Sequence, residues 1–183
     1  KEGMYPALKD DNADEEYYLK PMNCPFHILV YKNDIRSYRE LPIRYFELGS
    51  VYRMEKTGVL HGLLRARGFT QDDAHIFTTT EDLNNEILNL LTFSIKLLNC
   101  FGFENIEADL STRPEDSIGE DKDWEIATQS LEDALNIQKI SYKIAHGEGA
   151  FYGPKIDLHV KDAIGRRWQL TTIQIDFAQP DNF

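Results

Sequence analysis

At 183 residues, with 42% hydrophobic and 11% aromatic side chains, the chain has the size of one domain and enough apolar surface to close a core. Two cysteines, Cys24 and Cys100, exclude a disulfide framework, and no apolar run approaches the roughly 20 residues that a membrane-spanning helix needs. The net charge of −11 speaks against a long nucleic-acid track, and with no basic-then-apolar leader at the N-terminus a reducing, cytoplasmic setting is the expectation.

Residues 9–16 are acidic and polar, as in a loop, and 17–20 read as extended. Pro25 opens a short helix through Tyr31, since a first helical turn tolerates a missing N–H. Residues 43–55 and 67–77 are rich in β-branched and aromatic side chains and are separated by the glycines and charges of 56–62, which predicts an antiparallel pair with a long loop. Leu83, Ile87, Leu90, Leu91, Ser94, Leu97, Leu98 and Phe101 form a helical stripe that stops at Gly102, with Thr80 as its N-cap and Cys100 as a buried, inert thiol. A strand at 106–110 precedes a second amphipathic helix at 124–135, whose Trp124 belongs to the core.

Strands at 142–146, 155–161 and 167–177 complete the chain. In 155–161 the apolar Ile156, Leu158 and Val160 alternate with Asp157, His159 and Lys161, so one face is buried and the other polar. Asp162 to Gly165 turn the chain into the next strand, Gly165 supplying the positive φ. With no repeat or flexible linker, residues 1–183 read as one domain of the α+β class, an antiparallel β-sheet flanked by helices.

Charge is unevenly spread. Between Tyr31 and Arg67 eight basic side chains face four acidic ones, a local excess suited to a phosphorylated small molecule. In "RGFTQDDAHIF" (67–77), Arg67, Phe69, Gln71, Asp73 and His75 share parity and so share one strand face. Polar side chains in register are costly to bury unless a ligand, metal or partner satisfies them, and a solvent-exposed face is the plain alternative. Upstream, Arg53 and Glu55 lie two apart, and Arg65 and Phe69 follow the loop. An arginine fork suits phosphate oxygens, a glutamate accepts from an exocyclic amine, and an aromatic face stacks on a purine, so the set can hold ATP.

This R-x-E, loop, R-x-x-x-F spacing resembles the second signature motif of class II aminoacyl-tRNA synthetases. Together with "YYLKPMNCPFHI", "GVLHGLLRARGFTQDDAHIF", "HGEGAFYGPKIDLHVKDAIGR" and "WQLTTIQIDF", in that order, nearly the whole chain resembles the catalytic domain of the threonyl-tRNA synthetase family. The resemblance implies an antiparallel sheet with flanking helices, ATP-dependent activation of L-threonine, transfer to threonine tRNA, a substrate-selecting zinc, and magnesium with ATP. Carried over residue by residue, it puts Arg53 on the α-phosphate, Glu55 on the adenine amine, Arg65 on the phosphates and Phe69 against adenine, with Arg53 and Arg65 as the catalytic pair. Ala66 (through its backbone), Gln169 and Thr172 complete the ATP site. Asp73 and Tyr152 meet the substrate amino group, Met22, Gln71, Lys155 and Gln174 line the amino-acid pocket, and Cys24 and His75 match two of three zinc ligands.

The residues themselves leave a second zinc pairing open, Cys24 with His27 across C-x-x-H. His61 in the loop is either a pyrophosphate or tRNA contact or an exposed imidazole, and His146 is a turn residue or a contact. The family's first motif, which builds a homodimer interface, and its third motif, with a nucleotide-clamping arginine and the third zinc ligand, are not in this sequence. Without the third-motif arginine and the first-motif interface, the isolated chain is expected to be poorly active; neither an editing nor an anticodon-binding domain is recognisable. Leu170 and Thr171 stand where many relatives carry smaller residues. A non-catalytic binding module of this fold, or a class II synthetase for serine or proline, is the alternative; ATP binding and zinc content separate them.

Overall fold

Antiparallel pairing organises the first 77 residues. The computed structural model describes residues 3–9 and 15–180. Strand β1 (Leu8–Lys9) pairs with β2 (Glu16–Tyr17), flanking the acidic segment whose residues 10–14 lie outside the described residues. Helix α1 (Cys24–Lys32) follows, with Asn23 at its N-cap and Pro25 in its first turn. Strands β3 (Ile43–Tyr52) and β4 (Gly68–Phe77) then form a two-stranded ribbon in continuous register from Ile43↔Phe77 to Tyr52↔Gly68.

The chain divides after Phe77 into two compact units. The second contains helices α2 (Leu83–Cys100) and α3 (Asp121–Ile137) and strands β5 (Glu107–Ser111), β6 (Tyr142–Ala145), β7 (Lys155–Lys161) and β8 (Arg167–Gln174). The strands lie in the order β6-β5-β7-β8. The α+β class expected from the sequence is what the structure has, with one refinement: β5 and β6 run parallel because the connection between them is the crossover helix α3, whereas the other pairs are antiparallel. Leu91, Leu131, Leu135, Ile156 and Leu158 are completely buried at the centre of the core between helices and sheet. Trp124 is buried as expected and donates from Nε1 to the Ile118 carbonyl at 2.8 Å.

Three expectations need correction. Cys100 is exposed, because the buried stripe of α2 runs through Ile87, Leu91, Ser94 and Leu98 and position 100 lies off that line. The N-cap of α2 is Asp82, not Thr80, and Thr79 Oγ1 accepts from the Asp82 N–H at 3.3 Å in the turn that precedes the helix. Asp157, on the polar parity of β7, is only 5% exposed. Gly165 does adopt φ +82° at the hairpin into β8. Among the described residues no helix is long and apolar enough to cross a membrane.

Candidate active site

The ribbon's alternation separates an exposed face, with Phe46, Leu48, Thr70, Asp72 and Ala74, from a half-covered one. Cross-strand register places Tyr45 opposite His75, Glu47 opposite Asp73, Gly49 opposite Gln71 and Val51 opposite Phe69 on this second face. Packing of α1 against it explains why the polar row is not simply solvated. His27 is 7% exposed and its Nδ1 lies 2.7 Å from His75 Nδ1, while its Nε2 lies 3.2 Å from Glu47 Oε1. Lys20 Nζ reaches the other Glu47 oxygen at 3.4 Å. Asn23, fully buried, donates from Nδ2 to Asp73 Oδ2 at 3.1 Å. Gly49 makes that approach possible, since a Cβ there would fall 2.4 Å from the Asn23 amide. Asn23 Oδ1 is the one buried side-chain polar atom without a hydrogen-bond partner among the described residues.

At the open end of the ribbon the arginines and the aromatic ring meet. The Arg53 guanidinium lies over the Phe69 ring, 5.3 Å from its centroid, and its Nε donates to the Pro21 carbonyl at 3.0 Å. Glu55 pairs with Arg65 across the loop at 3.3 Å. Arg67 donates to the Glu55 carbonyl at 3.0 Å and fastens the strand ends together. Met22, Arg53 and Glu55, with Gly3, Met4, Pro21 and Met54, line a cavity of about 270 Å³. His61 is exposed and pairs through its backbone with Arg65, and His146 is exposed in the turn after β6. Ala66 is half-buried between Arg65 and Arg67.

In the second unit the polar sheet face carries the remaining candidates. Lys155 stands opposite Gln174 and Asp157 opposite Thr172. A bulge in β8 leaves Leu170 unpaired between Gln169 and Thr171, so Gln169 and Thr172, three apart in sequence, reach the same side. Asp157 takes all three donors: Lys155 Nζ at 2.6 Å, Gln169 Nε2 at 2.7 Å and Thr172 Oγ1 at 2.7 Å. Tyr152 donates its hydroxyl to Gln174 Oε1 at 3.0 Å. Beside them Arg167 holds Asp109 through two bonds of 2.8 and 2.6 Å, and this guanidinium keeps the Asp109 carboxyl below the usual range.

Comparison with known proteins gives the family and the fold. The sequence profile described as "tRNA synthetase class II core domain (G, H, P, S and T)" matches residues 7–183. The chain belongs to the class II tRNA synthetase core-domain family. It is 56% identical to a threonine–tRNA ligase of Nitrosococcus oceani and 57% identical to one of Clostridium kluyveri, in each case across the whole chain and 28% of the relative. The chain thus spans under a third of the length of these relatives. Among solved structures, one described as the RNA binding domain of threonyl-tRNA synthetase from Cryptosporidium parvum superposes with a TM-score of 0.86 at 41% identity, over 98% of this chain and 44% of that one. A histidyl-tRNA synthetase from S. aureus, at TM-score 0.62 and 14% identity over 92% of this chain and 46% of that one, shares the fold.

A zinc ion is implied for this class II chain by its resemblance to threonyl-tRNA synthetases, and the side chains present can be tested for it. Among the described residues no group of three or more His, Cys, Asp or Glu side chains forms a complete metal cage. Cys24 and His27 share one face of α1, being three residues apart, and His27 meets His75. Both ring nitrogens of His27 have partners, His75 and Glu47, which fits a residue that orients a ligand better than a ligand itself. A thiolate and an imidazole are a chemically suitable partial set for zinc.

Asn23, Glu47 and Asp157 were not among the residues singled out in the sequence. Glu47 and Asp157 share strand parity with candidate residues, but only the register shows which side chains they meet. Asn23 has no comparable signal beyond lying between Met22 and Cys24.

Proposed function

We propose that the protein containing this chain is a cytoplasmic threonine–tRNA ligase, activating L-threonine with ATP and passing it to threonine tRNA, and that residues 1–183 are part of its catalytic domain. The observation that carries the reading is the meeting of Arg53, Phe69, Glu55 and Arg65 around one ribbon end in a class II core. In this reading adenine stacks on Phe69, Glu55 accepts from its exocyclic amine, and Arg53 and Arg65 bind phosphate oxygens with the Ala66 backbone alongside. Gln169 and Thr172 serve the nucleotide as well. Asp73 and Tyr152 receive the threonine ammonium, and Met22, Gln71, Lys155 and Gln174 contact the rest of the amino acid.

The reaction is in-line attack by the threonine carboxylate on the α-phosphorus, with pyrophosphate leaving. The nucleophile is already an anion, so no protein base is needed, and the side chains act by positioning and by stabilising charge. Arg53, fastened through Nε to the Pro21 carbonyl, and Arg65, paired with Glu55, stand just beyond the ribbon strands and would meet the developing charge with little reorganisation. Magnesium bound with ATP would neutralise the leaving pyrophosphate. Zinc held by Cys24 and His75, with a third ligand from elsewhere, would supply a Lewis-acid position for the hydroxyl of threonine and, once the ammonium has given up a proton, for its amino nitrogen. Asn23 then orients Asp73, and His27, backed by Glu47, orients His75.

The test is threonine-dependent exchange of labelled pyrophosphate into ATP by the natural protein at its full length. Exchange with threonine, weak exchange with serine and almost none with valine is expected, since a site that binds a hydroxyl rejects the analogue without it far more strongly than shape alone does. Exchange driven by serine or proline in preference to threonine, or none with any of them, would overturn the proposal. The isolated 183-residue chain should exchange at least about 10²-fold more slowly, as one missing preorganised charge commonly costs that much.

A further inference from the structure

Asp157 is the most deeply buried carboxylate of the second unit among the described residues. It is 5% exposed, and its Oδ1 accepts from both Gln169 Nε2 and Thr172 Oγ1 while its Oδ2 accepts from Lys155 Nζ. A buried carboxylate is tolerated when its oxygens are filled in this way, and it then fixes the direction of every donor it holds. The consequence is sharpest for Gln169. Its amide nitrogen lies within hydrogen-bond distance of both Asp157 Oδ1 and Thr172 Oγ1, at 2.7 and 2.8 Å, so the donor end of the amide is turned into this group. The end of the amide left to meet a ligand is Oε1, an acceptor. The β8 bulge is what brings Gln169 round to Thr172 and Asp157 in the first place.

We propose that Asp157 is a positioning residue that orients the Gln169 amide, so that Gln169 offers the acceptor Oε1 to a hydroxyl of the bound nucleotide. The inference rests on the reading of Gln169 as a nucleotide contact. Replacing Asp157 by Asn puts an NH2 group where one of the carboxylate oxygens was. The Lys155 ammonium can only donate, so the Asn oxygen turns to Lys155 and the Asn NH2 turns to Gln169 and Thr172. Thr172 adapts by rotating its hydroxyl. Gln169 can adapt only by flipping, which turns its donors toward the nucleotide hydroxyl in place of the acceptor.

The experiment is steady-state pyrophosphate exchange by the full-length natural protein, comparing the parent with Asp157→Asn, Asp157→Glu and Gln169→Glu, each checked for folding by thermal melting. Asp157→Asn should raise KM for ATP about tenfold or more, the scale of losing a charge-assisted hydrogen bond, while KM for threonine changes less than about threefold. Asp157→Glu, which keeps the acceptor pair, should bring the KM for ATP back toward the parent's. Gln169→Glu keeps an acceptor toward the ligand but has no N–H for Asp157, and it should raise KM for ATP at least as much as Asp157→Asn. This second variant decides the matter should Asp157→Asn fail to fold. A parent that exchanges with threonine, with KM for ATP unchanged in Gln169→Glu or with KM for both substrates raised equally in Asp157→Asn, overturns the positioning role alone. A parent that does not exchange overturns the functional reading and this inference with it.

Discussion

The two units bury different things. In the second, Ile87, Leu91, Leu110, Leu131, Leu135, Ile156 and Leu158 are at most 3% exposed and form a continuous apolar core. Within the first unit Val51 is the one buried large apolar side chain among the described residues, and beside it the deeply buried side chains are Asn23 and His27. Apolar burial is strong and undirected, whereas a hydrogen bond adds little net stability but fixes a direction. The second unit therefore derives its stability from packing. The first uses its interior to aim Asp73, His75 and Glu47, and it has a smaller apolar reserve for tolerating change.

The largest expected effect lies on the packing side. Leu131→Ala, at a position with no exposed surface, should destabilise the second unit by about 2–5 kcal/mol, whereas Leu48→Ala on the open face of the ribbon should cost within about 0.5 kcal/mol. Chemical denaturation of both variants measures this, and equal losses would erase the contrast. Next comes ligand binding: Arg53→Ala should weaken ATP by about 1.5–3 kcal/mol in titration calorimetry with little change in melting temperature. An unchanged ATP affinity would remove Arg53 from the site.

A smaller effect separates ligand from orienting residue. Metal analysis after dialysis of the full-length protein should find zinc lost from His75→Ala but only about 10- to 100-fold weakened in His27→Ala. Zinc that survives the first change and is lost in the second would reverse the assignment in favour of the C-x-x-H pair. The smallest effect is the pH response of the second unit. The Arg167 fork holds Asp109 below the ordinary carboxylate range, and Lys161 does the same for Glu107. Because folding lowers both values, their contribution is complete above about pH 4 and is lost as pH falls through that point and below. The urea midpoint should therefore drop between pH 5 and pH 3, and less steeply in Arg167→Met.

Much of this was legible in the sequence. Enrichment in β-branched and aromatic residues located β3 and β4 within a few residues, period-two alternation located β7, and helical spacing located α2 and α3. Shared parity also anticipated that Phe69, Gln71, Asp73 and His75 lie on one face, the half-covered one. What parity does not carry is who stands opposite. Glu47 meets His27 through the packing of α1, and Asp157 gathers Gln169 and Thr172 through a bulge that breaks the two-residue period. Cys100 was misjudged because composition marks it as apolar, while two residues past Leu98 the helix has already turned it outward.

The central claim is that the half-covered face of the ribbon is a threonyl-adenylate site. A crystal structure of the full-length protein with a non-hydrolysable threonyl-adenylate analogue tests it directly. The account predicts the adenine ring on Phe69 with its amine toward Glu55, the phosphate on Arg53, and the threonine ammonium on Asp73. An analogue bound with its adenine away from Phe69 and its ammonium away from Asp73 would contradict it.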